Sequence, residues 1–182
     1  MKAYHKKFKT YLDDLGKRAP SPGGGSAVCL IACLAFSLIE KAFNYSVSNN
    51  PKTALGKRKN LKLKKDLTVF KNLRKKILPS VYKDAIIFAK VMESKGRARA
   101  GFLVKADKLM VEVSESIIKG FSLAKSRESD IKKNIISDYS IGRECLLVAL
   151  GGCLKNLAAN SLTSGKKNKH IKYFTKTLKK WQ

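Results

Sequence analysis

The sequence contains few of the residues that build metal and redox sites. Histidine occurs only twice, as His5 and His170 near opposite ends of the 182-residue chain. The four cysteines form no CxxC pair, and each lies in an apolar stretch, at positions 29, 33, 145 and 153. We therefore expect no metal site and no prosthetic group, and we predict buried, reduced thiols in a cytoplasmic protein.

Long apolar runs are also missing. The first 18 residues, MKAYHKKFKTYLDDLGKR, contain no signal-peptide core, and the longest apolar run covers only residues 27–39. A helix that spans a bilayer needs about 20 such residues. The pattern predicts no membrane span and a buried helix at the centre of the fold.

Acidic residues are scarce. The chain has 13 Asp and Glu against 39 Lys and Arg, a formal net charge of +26. Such an excess indicates either attraction to a polyanion, such as nucleic acid, anionic lipid or a polyanionic small molecule, or lysines spread over solvated surfaces. The few acids also limit the candidates for acid/base chemistry.

Strand-like alternation and internal repeats are absent, and helical periodicity covers nearly the whole sequence. We predict a single all-α domain over residues 1–182, a bundle of about six or seven helices. Loops are expected at residues 17–25, 48–51, 96–101 and 163–168, with Pro79 starting a new helix and Ser137 or Asp138 capping another. The last helix places its apolar residues on one stripe: Ile171, Phe174, Leu178 and Trp181.

Residues 19–26 read APSPGGGS and lead directly into the apolar run. No Lys-Ser or Lys-Thr follows Gly25, which excludes a P-loop, and Val28 occupies the last glycine position of a Rossmann fingerprint. Glycines before a helix still let a ligand approach the free backbone N–H groups of the first turn. The loop is therefore either an anion or carbonyl site at a helix N-terminus or a tight turn that lets helices pack closely.

Several motifs together resemble the cyclodeaminase/cyclohydrolase family. The segment APSPGGGS followed by AVCLIACLAFSLIEKAFNYS is similar to that family's opening motif, with Asn44 in its closing turn. Ser137-Asp138 resembles the family's Ser-Asp helix start, and Asn156 and Asn160 resemble its two asparagines on the same helix. Asp84, in VYKDAIIFAKV, matches more loosely an Asp in the family's middle segment.

The resemblance implies an all-helical, usually homodimeric enzyme that acts on one-carbon tetrahydrofolates without a metal or redox cofactor. Two reactions stay open: cyclodeamination of formimidoyltetrahydrofolate, and hydrolysis of 5,10-methenyltetrahydrofolate. Asp138 is the first candidate for general acid/base catalysis and Asp84 the second. The implied folate-binding residues are Pro22, Gly23, Gly24, Gly25, Ser26, Asn44, Asn156 and Asn160. Lysines within residues 57–65 or 166–172 are candidates for the glutamate tail, whether single or polyglutamylated.

The sequence also departs from the family pattern. The family's Gly-Lys-Lys is displaced to residues 56–58, and bulky Phe36, Ile39 and Phe43 occupy a helix that normally carries small residues. Arg143 and Glu144 likewise stand where small residues are usual. These departures favour one alternative, a member that retains the fold without catalysis.

In that alternative the basic segment of residues 52–76, with eleven basic residues and one acid, binds nucleic acid through phosphate neutralisation. No helix-turn-helix, zinc-finger or RNP motif accompanies the segment, so such binding would be unspecific and sensitive to salt. A third alternative is peripheral membrane binding through this segment or through residues 170–182.

Overall fold

A computed structural model describes residues 2–165 and 168–181, with side chains from Lys6 onward. These residues form six α-helices and two short 3₁₀ turns and contain no strand, which confirms the all-α prediction. The helices are α1 (Lys2–Leu15), α2 (Gly24–Ser46), α3 (Ala54–Glu93), α4 (Gly96–Lys125), α5 (Ile136–Ser164) and α6 (His170–Trp181). The 3₁₀ turns are Glu128–Asp130 and Lys133–Ile135.

Helices α2 to α5 form an up-and-down bundle around α2. Glu40 pairs with Arg74 on α3, while Gly25 lies against Asp84, so α2 and α3 are antiparallel. Gly152 lies against Val28, at the start of α2. Helix α5 is therefore antiparallel to α2 as well, because Gly142 lies against Ile39 farther along it. The start of α2 consequently lies at the same end of the bundle as the end of α5.

Helix α2 is the core helix that its apolar sequence predicts. Cys29, Ala32, Phe36, Ile39 and Phe43 are almost completely buried. Close packing depends on glycines in neighbouring helices, since a Cβ on Gly120 of α4 would lie 2.3 Å from Cε1 of Phe36. The bulky residues of α2 are thus accommodated by small residues on its partners.

The prediction of a helix break at Pro79 is wrong, because α3 continues through it for 40 residues. Pro79 is exposed, so water can reach the carbonyl that the missing N–H leaves without a helical partner. The buried stripe continues at helical spacing on both sides of it, through Leu73, Ile77, Ser80 and Asp84. Tertiary packing of this stripe outweighs the cost of the proline.

Two other boundaries also differ from the prediction. Residues 96–101 belong to α4 and are not a loop. Helix α5 begins at Ile136 with Ile135 as its N-cap, so Ser137 and Asp138 lie inside its first turn and cap nothing. Two 3₁₀ turns after α4 carry the chain to that start.

The stripe of α6 is confirmed, with Phe174 fully buried and Ile171, Leu178 and Trp181 packed against the core. Helix α1 is less buried, since Phe8 is 47% and Leu12 53% exposed.

Among the described residues, two helical segments are long and apolar enough to cross a membrane by length and composition alone, Gly24–Ser46 and Lys133–Ser164. The first is mostly buried in the bundle. In the second, 28% of the apolar window is buried within the chain.

Candidate active site

The glycine loop places the N-terminus of α2 at one end of the bundle. Gly23 is the N-cap, in extended conformation and without a side-chain capping bond. The first backbone N–H groups of a helix have no partner within the helix, and they carry partial positive charge. Helix α2 therefore needs acceptors from elsewhere at this position.

Asp84 of α3 supplies one of these acceptors. Its carboxylate accepts a hydrogen bond from the backbone N–H of Ser26, and the residue is only 9% exposed. A Cβ on Gly25 would lie 2.3 Å from Oδ1 of Asp84, which is closer than any real contact. Gly25 is thus required because a buried carboxylate occupies the space where a side chain would be.

Burial makes Asp84 a group that exchanges protons near neutrality. Removal from water raises the pKa of its carboxyl from 3.8 to about 6, and the Ser26 N–H only partly opposes this rise. Asp84 is therefore mainly ionised at pH 7, yet it can take up and release a proton at little cost. A carboxyl group in this range suits general acid/base catalysis.

Asp84 and the glycines line a small pocket of about 70 Å³. The remaining wall combines apolar and amide side chains: Phe88, Ala106, Met110, Asn156 and Asn160. Ordinary small-molecule sites measure about 300–1,000 Å³. The pocket therefore has room for only the reacting part of a substrate.

The two predicted asparagines of α5 both reach this pocket. Asn156 donates from Nδ2 to the carbonyl of Gly152, at 3.1 Å, and its Oδ1 lies 3.8 Å from where a Cβ on Gly24 would be. Asn160 donates to Oδ1 of Asp107, at 2.9 Å. Both amides are held in place by hydrogen bonds, and Oδ1 of Asn156 lies near Gly24.

A larger groove of about 430 Å³ has Asp107 in its wall, and this carboxylate accepts the hydrogen bond from Asn160, which lines the pocket. Asp107 also accepts a 3.2 Å hydrogen bond from Asn168. Leu103 and Val104 contribute apolar surface to the groove wall. Lys108, Lys169 and His170 also line it.

Ser26 and Pro22 lie beside the pocket and not in its wall. The hydroxyl of Ser26 is buried and hydrogen-bonded to the phenol of Tyr11, at 3.0 Å. Pro22, which follows a cis peptide bond, lines a separate groove between α1 and α3 together with Tyr82. The contribution of Ser26 to the site is its backbone N–H, which binds Asp84.

Asp138 and Asn44 lie at the opposite end of the same chain's bundle. Asp138 forms a 2.5 Å ion pair with Lys41, and Lys41 follows Gly24 by about 25 Å along α2. Asn44 is exposed and lies farther still from Gly24. One chain therefore does not bring these residues together with the pocket, and their roles stay predictions.

Sequence reasoning missed Phe88, Ala106, Met110 and Asp107. Phe88 follows Asp84 by one helical turn, so helical spacing alone indicates that the two share a face. Ala106, Met110 and Asp107 belong to α4, and no local signal links them to the glycine loop. Lys166 and Lys167, among the predicted tail-binding lysines, lie outside the described residues.

The cysteines form no part of this site. Cys29, Cys33 and Cys153 are buried free thiols, and burial raises the pKa of Cys33 to about 11 and that of Cys153 to about 12. Over the described residues, no three His, Cys, Asp or Glu side chains are grouped as metal ligands.

The sequence profile of the formiminotransferase-cyclodeaminase family matches residues 7–180, which is nearly the entire chain. The chain belongs to this family. A crystal structure titled formiminotetrahydrofolate cyclodeaminase, from Thermotoga maritima, is similar in fold, with a TM-score of 0.78 and 18% sequence identity. The alignment covers 94% of this chain and 86% of that one. A search of functionally curated proteins finds no significant match.

Membership in the formiminotransferase-cyclodeaminase family confirms the resemblance drawn from the APSPGGGS segment and its companion motifs. At 18% identity the structural likeness supports the fold alone.

Proposed function

We propose that this protein is an enzyme of one-carbon tetrahydrofolate chemistry, either a formimidoyltetrahydrofolate cyclodeaminase or a 5,10-methenyltetrahydrofolate cyclohydrolase. The observation that carries the proposal is the buried carboxyl of Asp84, held against Gly25 at the N-terminus of α2. Family membership supports the substrate class, since the related Thermotoga maritima structure bears the cyclodeaminase name.

In the cyclodeaminase reaction, N10 of the protonated formimino substrate attacks the formimino carbon to form a tetrahedral centre. Asp84 takes the proton from N10 and delivers it to the exocyclic nitrogen, which then leaves as ammonia while the methenyl cation forms. Protons and charge balance, because a cationic amidinium enters and a methenyl cation with neutral ammonia departs. General acid/base help of this kind contributes about 10²–10⁴-fold.

The cyclohydrolase reaction uses the same position of Asp84. Water adds to the methenyl carbon, and Asp84 accepts one proton of the attacking water and later releases it to solvent. The remaining water proton passes to N5 as the bond from the carbon to N5 breaks, which leaves a formyl group on N10. In both reactions the ionised carboxylate also stabilises the cationic carbon centre in a partly dry site. Both reactions therefore use Asp84 as the general acid/base.

Asn156, Asn160 and the N–H groups of the glycine turn offer donors and acceptors for the pterin ring. The pocket is too small for the whole substrate, so the aminobenzoyl group and glutamate tail require the larger groove. Lys108 and Lys169 line that groove and attract the tail carboxylates. The other predicted tail-binding lysines, within residues 57–65, lie at the opposite end of α3 from Asp84 in the same chain.

The test measures ammonia release from formimidoyltetrahydrofolate, absorbance of the methenyl product, and calorimetric binding of 5-formyltetrahydrofolate. We expect saturable binding and one of the two activities in the wild type. Asp84→Asn should lower kcat by about 10²–10³-fold. The matched control Asp13→Asn replaces an exposed acid and should change nothing.

The pH dependence adds a second readout. With the pKa of Asp84 raised to about 6, the fraction of ionised carboxylate falls below that pH. We therefore expect kcat/KM of the wild type to decline below about pH 6. The residual kcat/KM of Asp84→Asn should not show this decline. Full activity in Asp84→Asn would overturn the assignment of Asp84 as the acid/base.

A second candidate function, nucleic-acid binding, is favoured by the outer surface of α3. Within residues 57–76 of this helix, eight basic residues are exposed, while the one acid of that stretch, Asp66, is buried against Arg127. They are Lys57, Arg58, Lys62, Lys64, Lys65, Lys71, Lys75 and Lys76. The test is binding of arbitrary RNA at increasing salt, where a steep loss of affinity in a chain without folate binding would favour this candidate.

A further inference from the structure

Among the described residues that line the pocket beside Asp84, none has a cationic side chain, although the chain carries 39 lysines and arginines. The polar side chains of the wall are Asp84, Asn156 and Asn160, and its other side chains are apolar. The anionic carboxylate makes the pocket a local site for a cation in a protein of net charge +26. The orientation of the two amides decides which kind of cation it suits.

Both amides are oriented by partners that only accept hydrogen bonds. Nδ2 of Asn156 donates to the backbone carbonyl of Gly152, at 3.1 Å, and Nδ2 of Asn160 donates to Oδ1 of Asp107, at 2.9 Å. A carbonyl and an ionised carboxylate do not donate, so an amide that turned round would lose its hydrogen bond. The amide oxygens of Asn156 and Asn160 are therefore the atoms left for the pocket.

These two oxygens have no hydrogen-bond partner in the part of the chain that the structure describes. They are also open to solvent, because the buried side-chain polar atom that lacks a partner there is Nε of Arg143. Oδ1 of Asn156 lies 3.8 Å from the position of a Cβ on Gly24, which lines the same pocket. The side chains of the pocket thus present two neutral acceptors and one anionic acceptor.

We propose that this pocket binds the protonated formimino group of the substrate through its N–H hydrogens, and that Asp107 is the positioning residue that makes the pocket an acceptor site. The inference rests on the proposed function and deepens it, because it selects formimidoyltetrahydrofolate over the methenyl compound. The formimino cation carries N–H hydrogens that satisfy the acceptors. Both nitrogens beside the methenyl carbon are fully substituted, so the methenyl compound leaves the two amide oxygens without donors.

The volume of the pocket supports the same assignment. A space of about 70 Å³ holds roughly two groups of the size of a water molecule. The formimino group adds one carbon and one nitrogen to N5 of the folate, whereas the fused rings of a pterin do not fit. Inside the pocket the amide oxygens therefore serve the reacting group. As Asp84 delivers its proton, the departing nitrogen gains an N–H that the same oxygens accept.

Asp107 is itself held from outside the pocket. Its Oδ2 accepts a 3.2 Å hydrogen bond from Nδ2 of Asn168. Oδ1 of Asn168 in turn accepts from the backbone N–H of His170, at 3.0 Å, which fixes the orientation of that amide. Asp107 therefore uses both carboxylate oxygens to hold two amide nitrogens, one of which belongs to Asn160.

Asp107→Asn tests this arrangement with almost no change in shape. The new amide has one oxygen and one NH₂ group, so its oxygen replaces only one of the two acceptors. Asn168 keeps its orientation because of His170, so Asn160 is the side chain that turns. Nδ2 of Asn160 then faces the pocket, and a donor replaces an acceptor. The variant should therefore bind an N–H group at the reacting position more weakly and a carbonyl oxygen more tightly.

The measured quantity is a ratio that compares two folates with the same ring and tail. It divides kcat/KM for formimidoyltetrahydrofolate by the inverse of the inhibition constant of 5-formyltetrahydrofolate, in which a carbonyl oxygen replaces the N–H group. We expect Asp107→Asn to lower this ratio at least about 10-fold. The control Asp13→Asn, at an exposed acid, should leave the ratio unchanged. An unchanged ratio in Asp107→Asn would overturn the role of Asp107.

A second substitution should restore the ratio. When Asp107→Asn is combined with Asn160→Asp, the carboxylate at position 160 accepts from the amide at position 107, and its second oxygen faces the pocket. The oxygen of the new amide still accepts from Asn168, and the total charge is that of the wild type. A general packing defect would not be repaired in this way, so a ratio that stays low in the double variant also contradicts the proposal.

A test without folate uses the cation alone. Titration followed by NMR of the asparagine side-chain amides should show saturable binding of formamidinium, at about millimolar affinity for so small a ligand. Formamide has the same size but lacks the positive charge and one N–H group, and it should produce no saturable shift. Asp107→Asn should weaken formamidinium binding, and the double variant should restore it. Equal effects of formamidinium and formamide on the wild type would overturn the acceptor pocket.

These measurements separate the inference from the proposed function. Formamidinium binding without turnover of either folate would support the acceptor pocket and refute the function. Methenyl hydrolysis as the faster reaction, with an unchanged ratio in Asp107→Asn, would support the function and overturn the inference.

Discussion

At the scale of single residues, the position of Asp84 explains why residue 25 has no side chain, and it places an acid in the wall of the pocket. Local sequence favoured Asp138 over Asp84, since Asp138 stands near a helix start that resembles a family motif. The structure places Asp84 in the pocket because residue 84 of α3 lies at the level of residue 25 of α2. The alignment of residues 25 and 84 depends on the axial offset between two antiparallel helices, and the sequence of neither helix alone specifies that offset.

Asp84→Asn should stabilise the protein at pH 7 while it removes activity. The pKa of Asp84 is raised from 3.8 to about 6 in the fold, so the folded state binds the proton more tightly than the unfolded state. Stability from this group is complete below about pH 4 and is lost as pH rises to about 6. We expect Asp84→Asn to gain about 1–3 kcal/mol at pH 7 and nothing at pH 4.

Urea unfolding of both proteins at the two pH values measures this difference, with Asp13→Asn as the exposed control. A gain that is equal at pH 4 and pH 7 would show that ionisation of Asp84 is not its cause.

Gly25→Ala should disturb the site much more than Gly24→Ala. The new Cβ at position 25 lies 2.3 Å from the Asp84 carboxylate, whereas at position 24 its nearest neighbour is Asn156 Oδ1 at an ordinary 3.8 Å. We expect Gly25→Ala to lose about 1–3 kcal/mol of stability, and Gly24→Ala to stay within about 0.5 kcal/mol of the wild type. Thermal unfolding compares them, and equal melting temperatures would contradict the contact.

At the scale of elements, helix formation overrode two local signals. Pro79 and the Gly96–Gly101 stretch both predict breaks, and both lie within helices. At Pro79 the apolar stripe on either side packs against the bundle, and burial along a long helix outweighs one missing hydrogen bond. Residues 96–101 are exposed and form the first turns of α4, ahead of its first buried residue, Leu103. The breaks after Leu15 and Ser46 were predicted correctly, because the apolar periodicity itself ends there.

The contact between α2 and α5 gives a testable consequence. A Cβ on Gly152 would lie 2.3 Å from Cγ2 of Val28. Gly152→Ala should therefore cost about 1–3 kcal/mol, and Val28→Ala in the same chain should recover part of the loss. Gly101→Ala, in open space on α4, should instead stabilise by about 0.5–1 kcal/mol.

Denaturant unfolding of Gly152→Ala, Val28→Ala, their double variant and Gly101→Ala checks this set. Additive losses in the Val28→Ala, Gly152→Ala double variant would contradict a direct clash between the two helices.

At the scale of the whole molecule, the charge of +26 acts on the folded state as self-repulsion. The scarce acids form ion pairs such as Glu40 with Arg74 and Asp66 with Arg127. Asp66 therefore does not pair with the exposed lysines next to it on α3. Screening should therefore stabilise the fold.

We expect the melting temperature to rise as NaCl increases from about 0.05 M to about 0.5 M, because the screening length shortens severalfold. Replacement of Lys64, Lys65 and Lys71 by glutamine should reduce this gain, since it removes three neighbouring exposed charges. A melting temperature that falls with salt, or an unchanged gain in the variant, would contradict self-repulsion on α3.

The sequence by itself determined the helical class, the central position of α2 and the family, because apolar periodicity and the APSPGGGS segment are local patterns. Residues 23, 24, 25, 156 and 160, which the sequence proposed as binding residues, line one pocket, and their role in binding stays a prediction. Only the tertiary structure decided that Asp84 joins them, that Asp138 stands at the other end of the bundle beside Lys41, and that Pro79 interrupts nothing. The physical reason is that local patterns specify which face of a helix is buried, whereas the overlap of helices far apart in sequence arises from packing of the whole bundle.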